Sequence, residues 1–237
     1  MTNPIRSVRA TIDSTNLLNH NVYQVQLSLP EPVQRDAGQY CMLHLEGEVY
    51  AYSIASAPQD QQRIELHIRV DDANSNAITV INTLLNQEQV DVSLPYGDAT
   101  LCEPPKRPVL MIAGSTGYSG CQSKLLFLQE QTLEHPVYFY WGGRTSDDLY
   151  LLEQAEQICA KNNQFVLEAL VSDEDSVARR KGWLHEAVIE DLGDLSQFDV
   201  YLAGSPPMVY AIYDALLPQG LVPEQAYSDV FSYAPRD

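Results

Sequence analysis

The sequence predicts an antiparallel β domain followed by an α/β domain built on a parallel sheet. Up to about residue 98, apolar and polar residues alternate, which is typical of half-buried antiparallel strands. Prolines at positions 104, 105 and 108 indicate a stiff linker. Beyond the linker, strands and helices alternate, and this pattern predicts a parallel sheet with helices on both faces.

The first domain, residues 1–103, is predicted to consist mainly of short strands. Residues 23–29 and 64–70 alternate apolar with polar side chains, so one face of each strand should lie on a core and the other in water. Short strands at this spacing indicate a small barrel or a sandwich. A helix is predicted over residues 75–86, with one apolar face of Ile78, Ile81, Leu84 and Leu85. Further strands are predicted at residues 5–13, 39–46, 49–56 and 88–94.

The second domain, residues 104–237, brings several loops to one edge of its predicted sheet. Ligands of open parallel sheets bind at the carboxyl ends of the strands. Residues 114–120, 141–144 and 203–208 all follow such ends, so a binding site is predicted where they meet. The predicted strands are residues 109–113, 136–141, 164–170 and 198–203, and the predicted helices are residues 118–132, 148–161, 183–191 and 206–217.

A glycine-rich segment, Val109–Gly120, is the most informative stretch of the chain. A buried apolar strand ends there in glycines at positions 114, 117 and 120. Glycine lets a backbone approach a ligand, and free amides at a helix N-terminus attract phosphate. The spacing is G-x-x-G-x-x-G rather than the dinucleotide pattern G-x-G-x-x-G. The segment therefore predicts a nucleotide site, with a tight structural turn as the alternative.

The charge and hydropathy of the chain argue against nucleic-acid and membrane partners. The chain has 14 lysines and arginines against 32 aspartates and glutamates, a net charge of −18, which disfavours nucleic acids and anionic membranes. No apolar run approaches the ~20 residues of a membrane span, and the N-terminus lacks a signal-peptide pattern. We therefore expect a soluble, cytoplasmic protein with no membrane or nucleic-acid partner.

The possible metal ligands are scattered along the sequence. The four cysteines and five histidines show no C-x-x-C or H-E-x-x-H spacing, so no metal site is predicted. Acidic residues at 147–148 and 173–175 are interpreted as a helix start and solvated faces.

Six short segments follow one another along the chain: Ala37–Tyr40, Tyr52–Ser56, Gly114–Gly117, Trp141–Arg144, Ala203–Met208 and Ser228–Phe231. In this order they resemble the landmarks of the ferredoxin-NADP reductase superfamily, and most closely those of its small NAD(P)H:flavin oxidoreductases. The resemblance covers nearly the whole chain. It implies a flavin-binding β-barrel domain over residues 1–103, followed by an NAD(P)-binding α/β domain over residues 104–237, in a ferredoxin reductase-like fold.

The segment Tyr50–Ser53 is similar to the flavin motif R-x-[YF]-[ST] of that family. The resemblance implies that Ser53 is the catalytic residue, hydrogen-bonded near flavin N5, and that Tyr52 lies against the isoalloxazine ring. From β-propensity alone, both would be ordinary strand residues. Phe231 is expected to cover the flavin ring, with core packing as the alternative.

Two departures from the family concern flavin affinity. Tyr50 replaces the arginine of the motif, which removes a charge-assisted contact of roughly 1.5–3 kcal/mol, although a tyrosine there can still stack on or hydrogen-bond to the flavin. Asp71 and Asp72 stand where relatives that bind FAD tightly carry a phosphate loop. The flavin, whether riboflavin, FMN or FAD, is therefore expected to be a loosely bound substrate.

In the second domain, the resemblance implies one site for NADH or NADPH, formed by three segments of the chain. Gly114, Thr116 and Gly117 match the family's glycine loop, with Ser115 for its second glycine. Arg144 is expected to contact a ribose or phosphate, with a solvated arginine as the alternative. Gly204, Pro206 and Met208 belong to a segment that opens a helix near the nicotinamide.

The function implied is hydride transfer from NAD(P)H to flavin, which supplies reduced flavin or electrons to a partner such as a flavin-dependent oxygenase. Direct hydride transfer requires orientation rather than a side-chain nucleophile. The alternative is a non-catalytic nucleotide-binding or regulatory protein on the same scaffold.

Overall fold

The computed structural model describes residues 3–71, 75–175 and 179–236. Its first half is a six-stranded antiparallel sheet in the order β4-β3-β6-β1-β2-β5. A bridge between Ile54 and Leu66 joins its two edge strands, so the sheet closes into a barrel. The elements are β1 (Arg6–Leu17), β2 (Val22–Ser28), β3 (Tyr40–Leu45), β4 (Glu48–Ser53), β5 (Arg63–Arg69), α1 (Ser75–Asn86) and β6 (Gln89–Tyr96).

The barrel core is filled by inward-facing aliphatic side chains and closed by α1. The buried stripe of α1 is Ala77, Val80, Ile81 and Leu84, which follows the i, i+3, i+4, i+7 spacing of one helix face. Our predicted face was wrong for Ile78 and Leu85, which are exposed. The buried face of the helix begins at the small Ala77 instead of at the larger Ile78, so the whole face is turned by one residue.

The second half is a six-stranded parallel sheet in the order β10-β9-β8-β7-β11-β12. One apolar core lies between this sheet and α2 and α3, and another between the opposite face and α4 and α5, which confirms the predicted α/β fold. The elements are β7 (Val109–Gly114), α2 (Tyr118–Leu128), β8 (Val137–Gly143), α3 (Leu152–Cys159), β9 (Phe165–Val171), β10 (Arg180–Lys181), α4 (Leu184–Leu192), β11 (Asp199–Ala203), α5 (Pro206–Leu216), β12 (Ala226–Tyr227) and α6 (Val230–Tyr233).

Two helix boundaries differ from the prediction. The helix predicted over residues 118–132 ends at Leu128. The helix predicted over residues 148–161 begins only at Leu152, because Thr145 and Asp148 cap a separate short turn, Ser146–Asp148. A side chain that binds the backbone at a turn competes with helix formation at that point.

No helix among the described residues is both long and apolar enough to cross a membrane.

Candidate active site

A cleft of about 1020 Å³ lies where the barrel meets the carboxyl ends of β7, β8 and β11. Small-molecule sites generally occupy ~300–1,000 Å³, so the cleft has room for more than one ring system. β4 and β5 contribute one wall, while the glycine loop after β7 and the segment after β11 contribute the other. Neither domain alone contains the whole cleft.

The cleft brings together most of the residues that the sequence singled out. Those that line it are Tyr52, Ser53, Gly114, Thr116, Gly117, Arg144, Gly204 and Met208. Tyr50, Pro206 and Phe231 are not among the lining residues. Tyr50 packs against the barrel core, Pro206 is the first residue of α5, and Phe231 packs on Tyr210 and Tyr213. The functional roles of all these residues remain predictions.

Two glycines of the loop pack closely against the segment after β11, Gly117 against its backbone and Gly114 against the Met208 side chain. A β-carbon on Gly117 would overlap the carbonyl oxygen of Ala203 at the end of β11. A β-carbon on Gly114 would overlap the sulfur of Met208. The loop after β7 is therefore held against the segment after β11, on the wall of the cleft.

Ser115, which stands where the family carries a glycine, has the left-handed backbone angle φ +48°. Its carbonyl accepts a hydrogen bond from Trp141 Nε1 at 3.0 Å, and its hydroxyl accepts one from Arg69 Nη1 at 2.6 Å. Non-glycine residues in this region are strained, and these two contacts hold the strained residue in place.

Arg69 connects the barrel to the glycine loop after β7. It lies at the end of β5 and also pairs with Asp148 at 3.4 Å. Asp148 in turn accepts hydrogen bonds from the backbone amides of Arg144 and Thr145, at 2.9 and 3.1 Å. Sequence reasoning assigned no role to Arg69. The available signal was a cation at the end of a strand that enters the predicted flavin site.

Arg144 lines the cleft, but its side chain is 79% exposed and pairs with Asp173 at 2.8 Å. The neighbouring Glu174 accepts a hydrogen bond from the Ser146 amide at 2.7 Å. The arginine that was expected to meet the nucleotide is therefore already paired with a carboxylate.

Glu65 and His67 form a buried polar group between the domains. They are 9% and 4% exposed, and His67 Nε2 lies 2.7 Å from Glu65 Oε1. Across the interface, Gln122 of α2 donates to Glu65 at 3.1 Å, and the Tyr150 hydroxyl lies 3.0 Å from His67 Nδ1. Burial acts to raise the pKa of Glu65, but hydrogen bonds and the charge of His67 outweigh it and lower that pKa to about 2.

Our prediction that one face of each barrel strand lies in water was wrong for β5. Its apolar residues face the barrel core, while Glu65 and His67 are covered by the second domain. The polar positions of the alternating pattern therefore mark an interface between domains.

Comparison with known proteins agrees with this architecture. Residues 9–100 match the oxidoreductase FAD-binding domain family, and residues 111–214 match the oxidoreductase NAD-binding domain family. A probable flavin reductase of Photobacterium leiognathi is 33% identical over 90% of this chain and 93% of its own. An NAD(P)H-flavin reductase of Vibrio harveyi is 33% identical over 84% of this chain and 86% of its own.

Solved structures show the same fold. The crystal structure of an Amycolatopsis cytochrome P450 reductase superposes with a TM-score of 0.87 and 27% identity, covering 95% of this chain and 70% of that one. The fold and the cleft define an oxidoreductase with a flavin domain and a nicotinamide-nucleotide domain. Within that class, the chain belongs to the NAD(P)H-flavin reductase family.

Proposed function

We propose that the protein transfers hydride from NADH or NADPH to riboflavin, FMN or FAD. The observation that carries this proposal is that Tyr52 and Ser53 of the barrel and the glycine loop of the second domain line one and the same cleft. Because hydride passes directly from nicotinamide C4 to flavin N5, the two rings must lie against each other. A cleft shared by the two domains supplies that orientation, which is the main contribution of a protein to such chemistry.

The residues in the cleft fit both substrates. Ser53 offers a hydroxyl at the barrel wall, where it would hydrogen-bond the flavin ring. Burial raises the pKa of Tyr52 to about 12, so its phenol stays neutral and provides a flat surface with a polar edge. On the opposite wall, Gly114 and Gly117 line the cleft, where the backbone of the glycine loop would meet a diphosphate. Met208 and Gly204 border the same space.

NADH should be used at least as well as NADPH. The 2′-phosphate of NADPH needs cations, and Arg144, the cation expected near it, is already paired with Asp173. The next residue, Glu174, adds a second carboxylate on the Ser146 amide, and the chain carries a net charge of −18. A second phosphate charge would therefore be poorly neutralised at this end of the cleft.

Steady-state oxidation of each nucleotide, with and without added FMN, tests both proposals. We expect FMN to raise the rate of NADH oxidation at least tenfold, with NADPH no better than NADH. No flavin-dependent rate with either nucleotide would contradict the proposed reaction. A preference for NADPH above tenfold, about 1.4 kcal/mol, would show that the ribose end of the nucleotide lies elsewhere.

The flavin should be held loosely. Tyr50, in the place of the motif arginine, packs on the barrel core rather than lining the cleft. Asp71, two residues beyond the end of β5, is exposed and lines the cleft. Asp72, which was expected to act with it, lies outside the described residues. We therefore expect the purified protein to lose its flavin absorbance on gel filtration, and added FMN to be lost again on a second passage. A stoichiometric flavin retained through both columns would contradict loose binding.

A loosely held product can leave the cleft, which suits a protein that supplies reduced flavin or electrons to a partner. We propose a flavin-dependent oxygenase as that partner. The similarity to a cytochrome P450 reductase over 95% of this chain supports a role as an electron donor.

A further inference from the structure

Lys124 is a buried lysine in the wall of the cleft. It lies on α2 between the core residues Cys121 and Leu125, and it is only 5% exposed. Lysine is almost never fully buried without a partner. Its position within the candidate active site therefore calls for a functional explanation.

The surroundings place the Lys124 ammonium near the predicted flavin position. Its Nζ lies 5.2 Å from the centre of the Tyr201 ring, and a β-carbon on Gly38 would collide with it. The place that a β-carbon on Gly120 would occupy is 4.0 Å from Lys124 Nζ and 3.9 Å from Ser53 Cβ. The ammonium and Ser53 therefore border the same part of the cleft.

The charge of Lys124 is only partly compensated. Among the residues that the structure describes, no carboxylate comes within ion-pair distance of it. Burial lowers the pKa of Lys124, and Cys121 and the carboxylate of Asp229 oppose that effect. Asp229 itself is engaged by the backbone amides of Ala99 and Asp98. A new negative charge in the cleft would therefore compensate the remaining positive charge of Lys124.

The proposed reaction creates such a charge. One hydride leaves the nicotinamide, which becomes a cation, and joins the neutral oxidised flavin, which becomes an anion; no proton is exchanged. A cation in a poorly solvated site stabilises an anion far better than a cation in water does. Charges close to the flavin ring are among the means by which a protein adjusts its chemistry.

We propose that Lys124 stabilises the negative charge that the flavin ring gains on hydride transfer, so that the cleft binds reduced flavin more tightly than oxidised flavin. This inference rests on the proposed function. A residue on α2 of the second domain would then act directly on the flavin, whose site is predicted in the barrel domain.

Anaerobic titration calorimetry with oxidised and with reduced FMN tests the inference without turnover. The variants are Lys124→Met, with Lys106→Met as a control that removes an exposed lysine outside the cleft. Wild type and control should prefer reduced FMN, and Lys124→Met should lower that preference at least tenfold, about 1.4 kcal/mol. The phosphate of FMN is the same in both forms, so its contacts cancel from the ratio.

An unchanged ratio in Lys124→Met would overturn the inference, even if both affinities fell, because a merely structural lysine affects both forms alike. Should Lys124→Met fail to fold by circular dichroism, Lys124→Gln gives the same comparison with a polar side chain. Equal binding of both forms by the wild type would also overturn it. Failure of the wild type to bind either form would instead contradict the proposed function.

Discussion

Replacing Gly117 with alanine should lower nucleotide affinity at least tenfold and destabilise the fold by about 1–3 kcal/mol, the usual cost of overpacking. The backbone of Gly117 is helical, with φ −55°, so alanine meets no conformational penalty there. The effect comes from its β-carbon, which would overlap the Ala203 carbonyl oxygen. The loop after β7 must then move away from β11, and its amides lose their position.

Gly120→Ala is the matched control. This glycine lies three residues further on in α2, and a β-carbon added to it would have its nearest neighbouring atom 3.9 Å away. Alanine there should stabilise the helix by roughly 0.8–1.0 kcal/mol. Thermal unfolding and an NADH titration of both variants test the comparison. Gly117→Ala with wild-type stability and affinity would show that the contact with Ala203 is not required.

Lowering the pH should destabilise the folded protein because Glu65 becomes protonated. Its pKa in the folded state is about 2, against an ordinary value of 4.5. A carboxyl group whose pKa is lowered by folding contributes stability above its ordinary pKa, and this stability is lost as the pH falls. We expect the free energy of unfolding to fall by about 3 kcal/mol between pH 4.5 and pH 2 from this group alone.

Glu65→Gln removes the charge but keeps the shape. It should lower stability at neutral pH by about the same 3 kcal/mol and flatten the acid dependence, because the amide cannot titrate. Urea unfolding across this pH range, with Glu48→Gln on the exposed side of β4 as control, measures the effect. An acid slope in Glu65→Gln equal to that of the wild type would assign the slope to other carboxyl groups.

Local patterns predicted most of the fold. The alternation in residues 23–29 and 64–70 reflects contacts with a single barrel core, and the run of strands and helices after Pro108 reflects a sheet covered on both faces. Both signals arise within a few residues. The pattern in β5 was misread because its second buried face is covered by α2 and Tyr150, which lie far away in the sequence.

In the candidate site too, local patterns identified some residues, while others depend on contacts with distant parts of the chain. Motifs identified residues at or just beyond strand ends, such as Ser53 and Gly117, because glycines and hydroxyls at these positions follow a local sequence pattern. Arg69 and Lys124 were missed because the contacts that distinguish them are made with residues far away in the sequence; for Arg69 the only local signal was its place at the end of β5. Their significance depends on which residues of the other domain they meet.

The cations of the cleft also bear on how substrates arrive. Arg69, Lys124 and Arg144 line it, but the whole chain carries −18. At physiological salt the Debye length is ~8 Å, so an approaching anionic nucleotide meets repulsion from the surface before the cations in the cleft attract it. Salt therefore has opposite effects on two steps: it speeds diffusional encounter and weakens the final contacts. We therefore expect nucleotide binding to depend on the contacts made inside the cleft rather than on long-range electrostatic steering.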